Sequence, residues 1–431
     1  MKAYPTYKDS GVQWLSEVPD TWNVFPAKQL FADSKERRRK DDTFLTASQK
    51  YGVISQLRYM QLIGGRIVQA SQDFDKWKHV EPDDFVISLR SFQGGLEMCT
   101  ERGCVTWHYV VLKPKMEIIP LYFKWLFKSF SYIKSLQSTC NFIRDGQDLR
   151  YSNFVQVPIP FPPLTEQKTI ASFLDKKCAE IEELISRRQS IIERLRELKQ
   201  SIIAEAVTKG LNPDVPMKES GIDWMREIPV HWTISKIKNK AKVSPRVDIS
   251  HINFGDLITF TPMEYVKQGY FIPNNMPYEA KYNSYTPYAE GDIIIAKVTP
   301  CFENGNICIM NNLSSHVGFG SSELIVIRPN NILPAFLMYA LRNPHFIAEG
   351  KKTMYGTGGL KRISPRFIPN CNIAVPPEKE QHTIVAYLDK KCAEIDELVA
   401  RQEKIIEKLK ELKTSTIAHV VTGKVDVRGA I

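Results

Sequence analysis

The stretch LDKKCAEI occupies positions 174–181 and recurs letter for letter at 388–395. Extended outward, residues 162–208 align without gaps on 376–422, with 29 of 47 positions identical. Identity of that density is a duplication. A weaker match pairs KDSGVQWLSEVPDTW from Lys8 with KESGIDWMREIPVHW from Lys218, keeping two tryptophans eight apart. Each half therefore opens and closes alike. The intervening inserts, 23–161 and 233–375, are 139 and 143 residues long, and at this offset they share little. Drift after duplication is one explanation, but drift has no reason to spare the flanks. A repeated frame around unlike inserts predicts that the frame meets the same partner twice and the inserts meet different targets.

Period and caps say what the frame is. Each copy follows a double proline (Pro162 and Pro163; Pro376 and Pro377) and carries Glu and Gln in its first turn, which are helix-start signals. Leu174, Ile181, Leu184, Ile191, Leu195, Leu198 and Ile202 fit the a and d positions of a heptad, with Arg188 as a polar interruption. The copy supplies Leu388, Ile395, Leu398, Ile405, Leu409 and Leu412, and Gly210 and Gly423 mark the C-terminal stops. A helix of about 43 residues rises about 65 Å, more than one small core covers. The sister helix is the expected partner, antiparallel if a pseudo-twofold axis relates the halves; the alternative is packing of each helix on its own domain. Cys178 and Cys392 then read as small residues at the edge of the seam.

A chain of 431 residues exceeds a single core, and 43% hydrophobic with 25% charged residues describes globular domains. The expected fold class is α+β: two mixed α/β domains joined by two long helices in an antiparallel coiled coil. The expected segments are 1–161, the helix of 162–210, 211–375, and 376–431 for the second helix and tail. The N-terminal stretch lacks a signal-type apolar run, and DIIIAKV from Asp292 is too short to span a bilayer, so a cytoplasmic location without membrane contact is expected. Eight cysteines without a C-x-x-C pair, and scattered histidines, argue for reduced thiols and against zinc. A net charge of +10 favours an anionic partner without saying which.

Candidate contacts lie in the inserts. VEPDDFVISLRSFQGGLEM from Val80 and YAEGDIIIAKVTPCFENGNICIM from Tyr288 each read as a strand running into a turn with glycine. Arg90, Ser91 and Gln93 in the first, and Lys297, Thr299 and Asn304 in the second, could reach phosphates or base edges; an ordinary solvated hairpin is the alternative. Glycine-containing basic loops follow in both halves, with Arg144 in one and Lys351, Lys352, Tyr355, Thr357, Lys361 and Arg362 in the other. The run KERRRK holds Arg37, Arg38, Arg39 and Lys40, read either as a DNA contact or as a solvated loop. Trp14, Trp22, Trp224 and Trp232 read as core anchors. No phosphate-binding G-x-x-x-x-G-K-[ST] loop, nucleophile elbow or H-E-x-x-H helix is present, and NPHF at 343–346 is better read as a helix-ending turn than as a methyltransferase motif. Binding without chemistry is the reading.

The proline step into an E-Q helix (PPLTEQKTIASFLDKKCAEI and PPEKEQHTIVAYLDKKCAEI), the SGVQWLSEVPDTW opening and the two dissimilar inserts resemble the specificity (HsdS) subunits of Type I restriction-modification systems. The resemblance covers essentially the whole chain. It implies that segments 1–161 and 211–375 are target recognition domains, each reading half of a bipartite site in double-stranded DNA, with the helices as spacer. It also implies two modification subunits that methylate adenine from S-adenosylmethionine, and restriction subunits that use ATP and Mg. No cofactor is expected on this chain. A self-sufficient adenine methyltransferase and a purely structural coiled-coil scaffold are the alternatives. Half-site centres about 34 Å apart would let both inserts approach one face of DNA.

Overall fold

A computed structural model describes residues 2–67, 74–89, 91–140, 149–357 and 359–430. Its contacts divide the chain into two compact units, 1–188 with 404–431, and 189–403. The repeated segments are two long helices, α1 (Leu164–Lys209) and α2 (Glu378–Val421). The backbone N–H groups of Glu166 and Gln167 donate to Pro163 O, and those of Glu380 and Gln381 to Pro377 O, so the prolines close both first turns. Gly210 and Gly423 end the helices at φ +76° and +73°, in the left-handed region. A Cβ on Gly423 would lie 2.4 Å from Pro19 Cδ, so this stop needs glycine twice over.

The unit boundaries cut each helix near its middle, because each insert buries its apolar face on parts of both helices. In the first unit Ile170, Leu174 and Cys178 of α1 share a core with Ile417, Val420 and Val421 of α2. In the second, Ile384, Leu388 and Cys392 of α2 share one with Ile203, Ala206 and Val207 of α1. The helices run antiparallel: in the second unit Arg196 reaches Glu403 at 3.2 Å while Lys199, further along, reaches Asp396, nearer the start of α2, at 2.6 Å. Lys413 pairs with Glu182 in the first unit.

The heptad assignment needs correction. Leu174, Ile181, Leu388 and Ile395 are buried, and Leu195 and Leu409 half-buried. Leu184, Ile191 and Leu198, with Leu398, Ile405 and Leu412, are 36–49% exposed. The second core position falls one residue later, at Cys178, Ile185, Ile192, Lys199 and Ala206, and correspondingly at Cys392, Val399, Ile406, Lys413 and Val420. Leucine and isoleucine at g mimicked a seam position because g and a are adjacent and both copies carry apolar residues there.

Each insert is closed at its base by a strand pair, Asn23–Phe25 with Ile159–Phe161 and Thr233–Lys236 with Asn372–Val375. Above that base both inserts hold the same antiparallel sheet. In the first it comprises β1 (Phe31–Asp33), β2 (Phe85–Ile87), β3 (Glu97–Met98) and β4 (Val110–Pro114), in the order β1-β4-β2-β3. In the second, β5 (Ala241–Val243), β6 (Ile293–Ala296), β7 (Ile307–Ile309) and β8 (Leu324–Pro329) repeat it as β5-β8-β6-β7. The second insert adds a sheet of Leu257–Thr261, Asn275–Pro277, Thr286–Ala289 and Val317–Gly320. Trp22 and Trp232 are fully buried, as core anchors.

The identical letters of the frame seat each insert on its own helix. Buried Gln167 accepts from Ile119 N at 2.9 Å and donates to Pro162 O; buried Gln381 accepts from Leu333 N at 2.8 Å and donates to Pro376 O. Asp175 accepts from the Trp125 indole and Asp389 from the Tyr339 hydroxyl. The glutamines hold the N-cap residues of the short helices that begin at Pro120 and Pro334, and the aspartates hold side chains within those helices. The corrected seam makes a prediction: Ile192→Ala should cost about 2–4 kcal/mol and Leu198→Ala under about 1 kcal/mol in denaturant unfolding. Equal costs would restore the original heptad.

Candidate nucleic-acid interface

The second insert brings most of its candidate residues together. Lys297 leaves the end of β6, and its carbonyl accepts from Ile363 N at 3.0 Å. Two residues on, Thr299 N donates to Lys361 O at 2.9 Å, and its hydroxyl donates to Gly359 O at 2.6 Å and accepts from Lys361 N. Tyr355 and Arg362 exchange backbone hydrogen bonds of 3.0 and 2.8 Å. The basic glycine loop is thus folded back on itself and pinned to the strand end. The sequence placed these segments more than fifty residues apart; only sheet geometry joins them.

Beside this junction lies a cleft of about 510 Å³, with Lys297, Tyr355 and Arg362 in its wall together with Tyr285, Thr286 and Ser322. Tyr355, Thr357 and Lys361 are exposed. Lys351 and Lys352 are exposed as well but lean on carboxylates, Glu303 at 3.5 Å and Glu349 at 2.6 Å. Asn304 is exposed in the turn before β7, where its carbonyl accepts from Gln268 Nε2. One residue that sequence reading missed sits at the centre: Glu323. It takes Arg362 Nε at 2.9 Å and Nη2 at 2.6 Å, and lies 3.8 Å from Lys297 Nζ, which also donates to Ser322 O. The Arg362 hydrogen bonds hold the Glu323 carboxyl below its ordinary range, and Glu323 pushes Arg362 up. In the sequence Glu323 is one polar residue of a turn, with nothing to mark its partner 39 positions on.

The first insert is different. Arg90 and Arg144 lie outside the described residues. Ser91 is corrected: it is buried, and its hydroxyl accepts from Ser88 N at 2.8 Å, so it closes a turn and faces no ligand. Gln93 nearby is exposed. The KERRRK run is neither freely solvated nor uniformly available. Arg37 donates to Lys76 O, Arg38 packs over the Phe44 ring at 4.8 Å, and Arg39 pairs with Glu36 and with Glu81 at 3.1 Å. Lys40 is exposed. Hydrogen bonds from Lys113, then Arg39, lower the Glu36 carboxyl to about 2. Behind the run, His79 is wholly buried, with Nδ1 2.8 Å from Asp42 and Nε2 2.8 Å from Glu81.

The two inserts share one device at the strand start. Asp84 accepts from Glu81 N and lies 3.9 Å from Lys113; Asp292 accepts from Ala289 N and is held bidentately by Arg328 at 2.7 Å. Without a bidentate partner, burial pushes Asp84 up to about 6. Burial does the same to Glu97, to about 6, despite its bond to Lys128. Both acids bind their proton more tightly folded than unfolded. Their stabilising contribution is therefore complete below about pH 4 and lost as pH rises through about 6. Asp84→Asn with Glu97→Gln should shrink the fall in melting temperature between pH 4.5 and 7.5; an unchanged fall would show that neither acid drives it.

Among the described residues no helix is long and apolar enough to cross a membrane, and no group of three or more metal-ligating side chains gathers. Comparison with known proteins completes the picture. The family model described as Type I restriction modification DNA specificity domain matches residues 19–194 and 232–411. The specificity subunits of the Type I restriction enzymes EcoAI and EcoEI of Escherichia coli are 30% and 28% identical over 202 and 214 residues, 45% and 48% of this chain. Those matches span only 33% and 35% of the relatives' own length. A solved chain from a study of complex assembly and conformational transition in the type I R-M system superposes with a TM-score of 0.68 at 16% identity, covering 95% of this chain and 99% of its own. At that identity it speaks for the fold alone.

Proposed function

Because this chain belongs to the Type I restriction modification DNA specificity domain family, with two copies of the domain, we propose that it is the specificity subunit of a Type I restriction-modification complex. It binds double-stranded DNA and is not itself an enzyme. Each insert reads one half of a bipartite site, segments 1–161 and 211–375 being the target recognition domains, and the helical pair spaces them. The observation that carries this is the junction of Lys297, Thr299, Tyr355, Lys361 and Arg362 beside a cleft. Cationic and aromatic residues from two separate loops converge there.

The first insert offers Lys40, Gln93 and the outer edges of Arg37 and Arg39 to its half-site, with Arg90 and Arg144 as further candidates. The difference in loops between two inserts that share one sheet supports unlike half-sites. Modification subunits, carrying S-adenosylmethionine, dock on the helices, and restriction subunits supply ATP- and Mg-dependent cleavage. Support for docking comes from the exposed g positions. Leu184, Ile191 and Leu198 recur identically as Leu398, Ile405 and Leu412, exposed in both copies although no seam requires them. A surface kept apolar at equivalent places suits one partner bound twice.

Two measurements test this. Lys361→Ala with Lys351→Ala should weaken DNA binding by the assembled complex for all sequences alike and lower the slope of log affinity against log salt by about two. An unchanged slope would remove the loop from the DNA interface. Leu184→Glu with Leu398→Glu should release the modification subunits in sedimentation while leaving the fold intact by circular dichroism. Retained subunits would place docking elsewhere.

A further inference from the structure

Arg362 is unusual among the cations of the second insert, because its guanidinium is oriented rather than merely present. A guanidinium carries five N–H donors in one plane. Glu323 occupies one edge of that plane, through Nε and Nη2. Nη1 has no protein partner among the described residues, and the Arg362 side chain is 40% exposed. The remaining end of the fork, one N–H each on Nη1 and Nη2, therefore points away from Glu323 with its spacing and plane set by the protein. Glu323 is itself fixed, since Lys297 stands 3.8 Å away, its backbone N–H donates to the Glu323 carbonyl, and Ser321 Oγ accepts from Glu323 N.

Charge decides what such a fork suits. The Arg362–Glu323 pair is close to neutral, so it adds little to the long-range pull that the Lys297 charge beside it exerts on phosphate, and a phosphate at the fork would meet the Glu323 carboxylate behind it. Exposed Lys361, next to Arg362 in the chain, is the better phosphate partner, as a compact charge on a flexible stem. A neutral pair keeps the directionality of its donors, which matches an uncharged acceptor pair. The acceptor pair that takes a bidentate arginine in duplex DNA is O6 and N7 of guanine at the major-groove edge.

We infer that Arg362, buttressed by Glu323, reads a guanine in the half-site of the second insert. This rests on the reading of that insert as a DNA reader. Arg362 is the contact residue and Glu323 a positioning residue. Loss of Glu323 should loosen sequence discrimination while freeing a full positive charge, so affinity for unrelated DNA should rise.

The test uses the full chain with its modification subunits and duplexes carrying the site, defined beforehand from methylated adenines in host DNA. Replacing each guanine of the half-site in turn by 7-deazaguanine removes N7 alone. The wild type should lose about tenfold or more in affinity at one position. Arg362→Ala should show the same loss on natural DNA and no further loss with the analogue at that position, while discrimination in the other half-site, the control for folding, stays intact. Arg362→Lys should keep the salt slope and lose the discrimination. Glu323→Gln should weaken discrimination at that same guanine and steepen the salt dependence by about one phosphate contact. A half-site without a G·C pair overturns the inference. So does a uniform loss in Arg362→Ala across all sequences, with a shallower salt slope and no sensitive guanine, which is phosphate contact. If Arg362→Ala has no effect while the lysine variants do, the inference falls and the DNA interface stands. If none of these variants affects any DNA, the DNA reading of this insert falls with it.

Discussion

The architecture depends on a buried glutamine. Gln167 and Gln381 each sit at the start of a long helix, accept the backbone N–H of the N-cap residue of a short helix in the insert, and donate to the proline carbonyl before their own helix. Both ends of the amide are satisfied in an interior where leaving either unpaired would cost about 1–3 kcal/mol. The observed placement of insert on helix does this in both halves. Asp175 and Asp389, two turns later, take a second donor from the same insert and fix the rotation. Much of the identity between the two frames is accounted for inside the chain, by the requirement that two dissimilar inserts be seated in the same way.

What remains after that subtraction is informative. The apolar g positions and Lys176 and Lys390 are exposed and identical, and seating explains none of them. The frame thus has an inner face that holds the inserts and an outer face whose identical exposed residues the seating does not account for. In each unit the insert packs on the beginning of one helix and the end of the other. In the first unit the chain termini take the place of the linker that joins α1 to the second insert: Lys2 bridges Asp426, and the Arg428 guanidinium stacks on Tyr4.

The inserts show how one sheet serves different ends. The order β1-β4-β2-β3 and its repeat β5-β8-β6-β7 keep a scaffold that direct alignment of the two inserts does not reveal, because a strand tolerates any set of β-branched and aromatic residues that fills its face. Asp84 and Asp292 survive as the common turn device, yet their partners diverge, a lysine at 3.9 Å in one and a bidentate arginine in the other. On this scaffold the first insert ties its basic run into a network with Glu36, Glu81 and the buried His79, whereas the second pins a glycine loop to its strand end.

The sequence by itself determined the duplication, the two long helices with their proline starts and glycine stops, and the division into like frames and unlike inserts. These are local or self-referential facts, legible because a repeat can be compared with itself and a helix declares its caps within a few residues. The heptad was legible to within one position, and the error followed from apolar residues that face outward. Tertiary structure alone decided that each insert spans both helices, that Ser91 is interior, and that Glu323, absent from every motif, holds Arg362 and steadies Lys297. The contacts of Glu323 and of the inserts with the helices join residues 26 to several hundred positions apart, and a polar side chain carries no mark in its sequence of which distant charge it will meet.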